Sequence, residues 1–216
     1  ITMVEPQPLY KQIGPKYYYD PKSQPLGAGT FGVVYRGYST EDPTMRLAIK
    51  VISNLIQQKY KEHEKTLKRE IEILQQITGK HIVETKEIIQ SENNLYIISV
   101  FCNEGNLEAR LGKTRGRLPE NEALDILQQI AEGFIEIEDL EIKNSEGKKL
   151  SIMHRDIKPA NILFHNGELR LCDFGFAKMV DENNPDKSQN HTILGTPKYS
   201  SPQILKEEED YTSKCD

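Results

Sequence analysis

The spacing of apolar residues along the chain changes character at residues 102–106. Before this segment, short runs of β-branched and aromatic residues predict five antiparallel strands and one helix. After it, three- and four-residue spacing predicts helices, including a long one that Pro119 opens. We therefore expect an α+β chain with a leader (1–15), a small lobe (16–101), a hinge (102–106) and a larger, mostly helical lobe (107–216).

The helix expected within the small lobe carries an acidic residue on its apolar side. Leu67, Ile71 and Leu74 recur at helical spacing, and Glu70 lies along the same inward stripe. A lone buried carboxylate is costly, so a cationic partner is expected. Lys50, the interior cation of the strand predicted over 45–52, is the candidate, although such a lysine can also extend to solvent.

A glycine-rich turn joins the first two strands of the small lobe. Gly27, Gly29 and Gly32 form the pattern G-x-G-x-x-G, which lets backbone N–H groups approach phosphate oxygens. Dinucleotide-binding turns and plain glycine hairpins share this pattern. Residues 33–35 continue as a strand where a dinucleotide-binding fold would begin a helix, which disfavours that fold.

The densest polar signal is the octapeptide His-Arg-Asp-Ile-Lys-Pro-Ala-Asn at residues 154–161. Asp156, Lys158 and Asn161 converge only if the loop folds back on itself, and Pro159 favours such a bend. Phosphoryl transfer needs this trio, namely an acceptor for a hydroxyl proton, a cation for the phosphoryl group and an oxygen ligand for magnesium. A solvated loop with chance polar residues is the alternative interpretation.

The segment after this loop predicts a hairpin that ends at a second acidic residue. Asn166-Gly167 separates two short apolar runs, which is a strong signal for a two-residue turn. The hairpin would deliver Asp173, of the tripeptide Asp-Phe-Gly, close to Asn161. Two oxygen ligands could then reach one magnesium ion.

Composition excludes several classes of protein. The net charge of -5 and the pI near 5.7 argue against nucleic acid as the main partner. The three cysteines, Cys102, Cys172 and Cys215, fit neither a disulfide framework nor a paired zinc site, which favours a reducing compartment. No apolar run approaches the roughly 20 residues of a membrane span. A cytoplasmic protein without a membrane span is expected.

Together these motifs resemble the eukaryotic protein kinase family. The resemblance implies a two-lobed kinase fold that binds ATP and Mg²⁺ and transfers the γ-phosphoryl group to protein substrates. Lys158, two residues after Asp156, and Thr196 of Gly-Thr-Pro resemble the serine/threonine-specific branch. Asp-Phe-Gly-Phe-Ala-Lys and the stretch around Thr196 are similar to the Unc-51-like, autophagy-initiating kinases, with which calcium/calmodulin-dependent kinases share much.

The resemblance also implies roles for individual residues. In the catalytic set, Asp156 would take the acceptor proton, Lys158 would steady the γ-phosphate, and Lys50 would hold the other phosphates while paired with Glu70. Asn161 and Asp173 would hold the metal ion. The nucleotide-binding set comprises Leu26, Gly27, Gly29, Gly32, Val34, Ala48, Lys50, Val100, Cys102, Leu163 and Asp173.

Regulation by phosphorylation is a further implication of the resemblance. Arg155 directly before the catalytic aspartate is typical of kinases that are switched on by phosphorylation of the activation loop. A phosphate there would pair with Arg155 and Lys178. Ser188 and Thr192 are the candidate acceptors for an activating kinase.

Four departures from the family pattern leave a second hypothesis open. Gln203 replaces a glutamate, Ser99 is small where the back of the ATP pocket usually carries a larger residue, and the excursion over 138–149 is long. The chain ends at Asp216, where a buried helix is expected to begin, so apolar surface of the Pro119 helix should be exposed. A catalytically inactive, kinase-shaped nucleotide-binding scaffold is the alternative, because the chain stops before the later helices expected in the larger lobe. Small-molecule phosphotransferases of similar fold fit less well, because they lack a segment like residues 195–203.

Overall fold

The structure is a computed structural model, which describes residues 10–29, 32–54, 61–143, 147–180, 195–206 and 213–216. The chain forms two compact units. The first comprises Ile1–Glu64 and Thr85–Phe101, and the second comprises Lys65–Glu84 and Cys102–Asp216. Helix α1 (Lys61–Leu74) therefore begins in the first unit and ends in the second.

The first unit is built on one antiparallel sheet of seven strands. The spatial order is β1-β2-β4-β5-β7-β6, with β3 paired to β4. The strands are β1 (Lys11–Ile13), β2 (Tyr17–Tyr19), β3 (Gly27–Gly29), β4 (Gly32–Ser39), β5 (Arg46–Ser53), β6 (Thr85–Gln90) and β7 (Asn94–Val100).

Alternation along the central strand β5 explains how this sheet buries a core. Leu47 and Ile49 are fully buried on one face, whereas Ala48 and Lys50 are half-buried on the other. The buried face packs with aromatic side chains, and the Tyr19 and Tyr35 rings lie 5.2 Å apart. The face that carries Ala48 and Lys50 is therefore not part of this core.

The sheet has two strands more than the pattern predicts. β1 lies within the expected leader, where Gly14, with φ +54°, reverses the chain towards β2. A turn at Asp20, whose carboxylate accepts the Lys22 N–H at 2.8 Å, separates β2 from β3. Each of these strands is three residues long, which is too short for period-two alternation to reveal.

The described part of the second unit contains three further α-helices together with two small sheets. The helices are α2 (Leu107–Lys113), α3 (Glu120–Glu138) and α4 (Pro202–Leu205), and the strands are β8 (Ser151–Met153), β9 (Ile162–His165), β10 (Glu168–Leu171) and β11 (Lys178–Val180). β9 pairs with β10, and β8 pairs with β11, both antiparallel. No helix in the described part of the chain is long and apolar enough to cross a membrane.

The core of the second unit holds the β9–β10 hairpin against helix α3. Ile126 and Ile137 of α3 are buried with Leu169 and Leu171 of β10. Asn166 and Gly167, at the hairpin tip, both have positive φ, as a two-residue turn of type I′ requires. The α+β class expected from the sequence is confirmed, and the hairpin has the turn that Asn166-Gly167 predicts.

Asn106 at the start of α2 offers a test of local stability. Its Oδ1 accepts the Ala109 N–H at 2.9 Å as an N-cap, and its Nδ2 donates to the Ala160 carbonyl at 3.4 Å. We expect Asn106→Ala to lower the free energy of unfolding by about 1 kcal/mol, because the cap acceptor is lost. Asn106→Asp keeps that acceptor and should cost less than about half as much. Urea unfolding followed by circular dichroism measures both, and equal losses would contradict the capping role.

Candidate active site

The Asp156 carboxylate is the point on which the loop over residues 154–161 converges. Its side chain is 1% exposed. Oδ2 accepts Asn161 Nδ2 at 2.9 Å and lies 2.7 Å from Lys158 Nζ, while Oδ1 accepts the Thr196 hydroxyl at 2.7 Å. Three side chains from two separate segments thus converge on one buried carboxylate.

A short turn produces this convergence. Pro159–Asn161 forms one turn of 3₁₀-helix, and the Asn161 N–H donates to the Lys158 carbonyl at 2.9 Å. The fixed φ of Pro159 suits this bend. Asn161 Nδ2 also donates to the Asp156 carbonyl at 2.9 Å. The asparagine therefore fixes both the backbone and the carboxylate of Asp156.

Charge compensation makes a buried carboxylate tolerable here. An ionised group removed from water is costly unless it is paired and hydrogen-bonded. Lys158 supplies the opposite charge, and its own side chain remains 24% exposed. The ammonium can therefore reach both Asp156 and a ligand arriving from solvent.

Thr196 has a structural role that the sequence did not reveal. Its hydroxyl accepts from Lys158 Nζ at 2.9 Å and donates to Asp156 at 2.7 Å, so it joins the two. The preceding Gly195 has φ +94°, and a Cβ there would lie 2.2 Å from the Arg155 carbonyl oxygen. Only glycine allows the segment to approach the loop this closely.

Asp216 is a second residue that sequence reasoning missed. Its carboxylate accepts the backbone N–H groups of His154 and Arg155, the latter at 2.7 Å. Arg155 has a φ of 63°, a conformation that non-glycine residues rarely adopt and that these contacts help to hold. Burial raises the pKa of the Asp216 carboxyl, against the effect of the two donated hydrogen bonds. No local pattern links residues so far apart in sequence.

His154 underlies the loop as a buried neutral ring. Its Nε2 lies 3.0 Å from the Cys172 carbonyl, and its Nδ1 lies 3.3 Å from the Asp156 backbone N. The neutral tautomer with a proton on Nε2 satisfies both contacts. Burial lowers the pKa of His154 from its ordinary value of 6.5, and its ring centroid lies 4.6 Å from that of Phe174.

Asn161 and Asp173 supply oxygen atoms that suit a magnesium ion. The Cys172 N–H donates to the Asn161 carbonyl at 3.0 Å, which brings the residue before Asp173 beside Asn161. Asp173 itself is exposed, with φ 63°. Within the described ranges, no donor reaches Asn161 Oδ1, since its Nδ2 faces Asp156. This oxygen is thus available to a metal ion.

Two protein oxygens are too few to hold a metal ion alone. Among the residues that the structure describes, no group of three or more His, Cys, Asp or Glu could bind a metal. Mg²⁺ usually keeps several waters and is bound through one or two carboxylates together with substrate phosphates. The donor set therefore fits a magnesium ion that arrives with a phosphorylated ligand.

Strand register places four of the expected nucleotide-binding residues, Gly27, Val34, Ala48 and Lys50, on one face of the sheet. Gly27 pairs with Val34, and Val34 in turn pairs with Lys50. Ala48 pairs with Ser99 two positions along the same strand. Paired residues share a face of an antiparallel sheet. This is the half-buried face opposite the core.

The glycines differ in their surroundings. A Cβ on Gly32 would lie 2.3 Å from the Val51 carbonyl oxygen, whereas Gly27 and Gly29 have open space beside them. Leu26 is 43% exposed and donates its N–H to the Val34 carbonyl at 2.8 Å. The tip of the turn, residues 30–31, lies outside the described residues.

The remaining expected site residues are Val100, Cys102, Leu163 and Glu70, and they differ in burial. Val100 ends β7 opposite Leu47. In the second unit, Leu163 is half-buried on β9, and Cys102 is buried, which raises the pKa of its thiol to about 11. Glu70 is 2% exposed on α1, on the inward stripe expected from the sequence.

The segment after Thr196 has defined local structure. Ser201 caps α4 by accepting the Ile204 N–H at 3.4 Å, and Ile204 packs with Met153. Gln203, where the family pattern has a glutamate, is exposed. The expected phosphorylation sites, Ser188 and Thr192, lie outside the described residues.

The buried ring of His154 predicts a pH-dependent stability. Its folded-state pKa lies below 6.5, so as pH falls through this window the unfolded state gains a proton that the folded state does not. Stability is then lost on acidification, by at most about 1.4 kcal/mol per pH unit. His154→Asn retains one donor and one acceptor without titrating. Between pH 7.5 and 5.5 it should lose less stability than the wild type, as measured by urea unfolding, and identical losses would contradict this origin.

Comparison with known proteins assigns the chain to a family. The model of the protein kinase domain matches residues 21–216. The chain is 34% identical over 183 residues to the human serine/threonine-protein kinase ULK3, covering 83% of this chain and 35% of that protein. It is 32% identical over 185 residues to human serine/threonine-protein kinase D2, covering 83% and 19% respectively.

A plant relative shows a similar match. CBL-interacting protein kinase 19 of Oryza sativa subsp. japonica is 34% identical over 185 residues, covering 83% of this chain and 33% of that protein. The chain thus spans about a third or less of the length of these relatives. The resemblance seen in the motifs is confirmed: the chain belongs to the protein kinase domain family, together with serine/threonine kinases.

Proposed function

We propose that this protein transfers the γ-phosphoryl group of ATP to serine or threonine hydroxyls of protein substrates. The observation that carries the proposal is the convergence of Lys158, Asn161 and Thr196 on the Asp156 carboxylate, at 2.7–2.9 Å. Membership of the kinase family supports it, because its relatives by name are serine/threonine kinases.

Asp156 acts on the acceptor hydroxyl. The bonds from Asn161 and Thr196 fix both carboxylate oxygens, so little reorganisation is needed when a hydroxyl approaches. As the acceptor oxygen bonds to the γ-phosphorus and the bond from phosphorus to the β-phosphate oxygen breaks, the hydroxyl proton passes to Asp156. ADP is the leaving group.

Lys158 and the two oxygen ligands act on the phosphoryl group. Lys158 Nζ lies 2.7 Å from Asp156 Oδ2, and the Lys158 side chain is partly exposed. Its ammonium group can therefore stabilise the negative charge on the phosphoryl group during transfer. Asn161 Oδ1 and the Asp173 carboxylate would hold Mg²⁺, which when bound neutralises charge on the phosphate oxygens. The exposure of Asp173 supports this role.

The first unit supplies the nucleotide-binding residues in this proposal. Gly27, Gly29 and Gly32 cover the phosphates, and Lys50 holds two of them with Glu70 as its partner. The strand register supports a common nucleotide-binding role for Val34, Ala48 and Lys50, because these residues lie on one face of the sheet. The set that contacts adenine and its surroundings is Leu26, Val34, Ala48, Val100, Cys102 and Leu163. Ser99 beside Ala48 leaves room for bulky inhibitors.

The setting proposed for this activity is the cytoplasm, with protein substrates and no nucleic acid. Cys102, Cys172 and Cys215 form no disulfide among the described residues, which suits a reducing compartment. The acidic composition argues against binding to a phosphate backbone. Within the serine/threonine kinases, the Unc-51-like branch is the assignment that the ULK3 match supports.

Replacing the proposed base tests the mechanism. Asp156→Asn should lower kcat by about 10²- to 10⁴-fold, the usual contribution of a general base, because an amide cannot take the proton. Asp125→Asn on the exposed side of α3 is the matched control and should leave kcat unchanged. Turnover is measured on peptides that carry serine, threonine or tyrosine as the acceptor.

Nucleotide binding separates the competing functions. If Asp156→Asn retains affinity for a fluorescent ATP analogue and loses turnover, the carboxylate acts in the chemical step. If the wild type binds nucleotide with magnesium and shows no Asp156-dependent turnover, the protein is a catalytically inactive, nucleotide-binding scaffold.

We also propose that phosphorylation of Ser188 or Thr192 activates the protein through Arg155 and Lys178. Both cations are buried, which makes them strong partners for a phosphate. Arg155 Nε donates to the Phe176 carbonyl at 2.7 Å. Lys178, two residues further on, pairs with Met153 across β8 and β11. The two cations therefore belong to neighbouring segments.

Phosphorylated protein should turn over about tenfold faster than phosphatase-treated protein, since a new charge-assisted contact orders the segment. Arg155→Gln should remove most of this difference, whereas Arg117→Gln, at an exposed loop position, should preserve it. Mass spectrometry assigns the modified residue. Equal rates for the two wild-type samples would rule out this form of regulation.

A further inference from the structure

The sheet face that carries Ala48 extends across β4 and β2 as an aromatic and basic surface. Arg36 pairs with Ala48, and Tyr38 pairs with both Arg46 and Tyr18. Directly paired residues share a face of an antiparallel sheet, as do residues two positions apart in one strand. The two arginines and the two tyrosines therefore lie on the same face as Ala48.

Three tyrosine rings form a row on this surface. The Tyr18 and Tyr38 ring centroids lie 5.4 Å apart with the ring planes at 22°, which is a stacked arrangement. Tyr10 lies 5.2 Å from Tyr18, edge to face. Tyr18 and Tyr38 are half-buried, whereas Tyr10 is 52% exposed. The row therefore leaves apolar ring surface accessible to a ligand.

A cleft of about 410 Å³ lies beside these rings within the first unit. We call it the tyrosine cleft. Its volume lies in the range of cavities that hold ligands, and it can accept a few side chains of an extended peptide. Its lining includes two aromatic, two apolar and two charged residues, namely Tyr10, Tyr38, Pro25, Leu26, Asp20 and Arg36.

Arg36 and Arg46 form no ion pair with any residue that the structure describes. Both are exposed. The guanidinium carbon of Arg36 lies 4.8 Å from the centroid of the Phe101 ring, a cation–π contact. The Phe101 N–H donates to the Arg46 carbonyl at 3.3 Å, which fixes this residue beside β5. The stacked guanidinium is thus held in place, while the N–H donors in its plane can still bind an acceptor.

This surface has the opposite sign of charge to the chain as a whole, whose net charge is -5. Asp20 also lines the cleft, but its Oδ1 accepts the Lys22 N–H at 2.8 Å, and the two arginines outweigh it. Arg36 and Arg46 are diagonal neighbours in the register, with Cα atoms about 7–8 Å apart. Two planar cations at this spacing can each pair with one carboxylate of a ligand.

We propose that the tyrosine cleft and the two arginines dock an acidic, proline-containing segment of a partner protein. Grooves lined by aromatic rings bind such segments because a polyproline II helix is already extended and loses little entropy on binding. The prolines would contact Tyr10 and Tyr38, and the acidic side chains would pair with Arg36 and Arg46. The tyrosines and the arginines have no part in the proposed phosphoryl transfer, so this docking goes beyond that function.

Single-stranded nucleic acid is the other ligand that aromatic rows with cations can bind, by stacking of its bases. The observations favour a peptide. Arg36 and Arg46 are accompanied by Asp20, whereas binding to a phosphate backbone usually requires an extensive basic surface. The apolar contribution of Pro25 and Leu26 to the lining also suits side chains of a peptide.

The first test selects ligands for the full chain from a phage-displayed library of short random peptides, without nucleotide. Peptides enriched by the wild type should contain both proline and acidic residues. The double variant Arg36→Gln/Arg46→Gln should not enrich them, whereas Arg117→Gln, at an exposed position of the second unit, should enrich the same peptides. No enrichment by the wild type, or enrichment of peptides that lack acidic residues, would overturn the proposal.

The second test measures the affinity of an enriched peptide, labelled with fluorescein, by fluorescence anisotropy. Arg36→Lys keeps the charge but loses the planar fork, and should raise Kd about three- to tenfold. Tyr10→Ala should raise Kd by a similar factor, and so should replacement of the glutamates of the peptide by glutamine. Thermal unfolding should be the same for all variants, since both residues are exposed.

Two outcomes of the affinity measurements contradict the docking site. An affinity that neither Tyr10→Ala nor the glutamine peptide changes would show that the peptide binds elsewhere. Displacement of the peptide by oligothymidylate at lower concentration than by unlabelled peptide would assign the surface to nucleic acid. Because no nucleotide is present, the result is independent of whether the protein transfers phosphate.

Discussion

The rest of the second unit depends on one constraint, the burial of the Asp156 carboxylate, whose side chain is 1% exposed. Burial of a single charge is costly, and the surrounding chain is arranged to compensate it. Lys158 provides the opposite charge, and Asn161 and Thr196 provide hydrogen bonds. The groups that compensate the buried carboxylate also fix its orientation, so stability and the geometry of the candidate active site have the same origin.

A second layer of contacts holds the loop that carries this carboxylate. His154 is a neutral donor and acceptor beneath it, and Asp216 accepts two of its backbone N–H groups. Burial acts oppositely on the two groups, lowering the pKa of His154 and raising that of Asp216. Both shifts favour the uncharged form, which is the usual consequence of removing a group from water.

Features that depend on residues close together in the chain could be predicted from the sequence, whereas contacts between residues far apart in the chain could not. Pro159, Asn166 and Gly167 specify their own turns, so the convergence on Asp156 and the β9–β10 hairpin could be foreseen. Helical spacing was enough to place Glu70 on a buried face. Asp216 and the hydroxyl of Thr196 reach the loop only through tertiary contacts, which no local pattern encodes.

We propose that this arrangement holds Asp156 ready for an acceptor hydroxyl beside a magnesium-bound nucleotide. The most direct test is a crystal structure of the protein with a non-hydrolysable ATP analogue, Mg²⁺ and a serine peptide. We expect the ion on Asn161 Oδ1 and Asp173, and the serine hydroxyl within about 3 Å of Asp156. A complex with the metal bound elsewhere, or with the hydroxyl directed away from Asp156, would contradict the account.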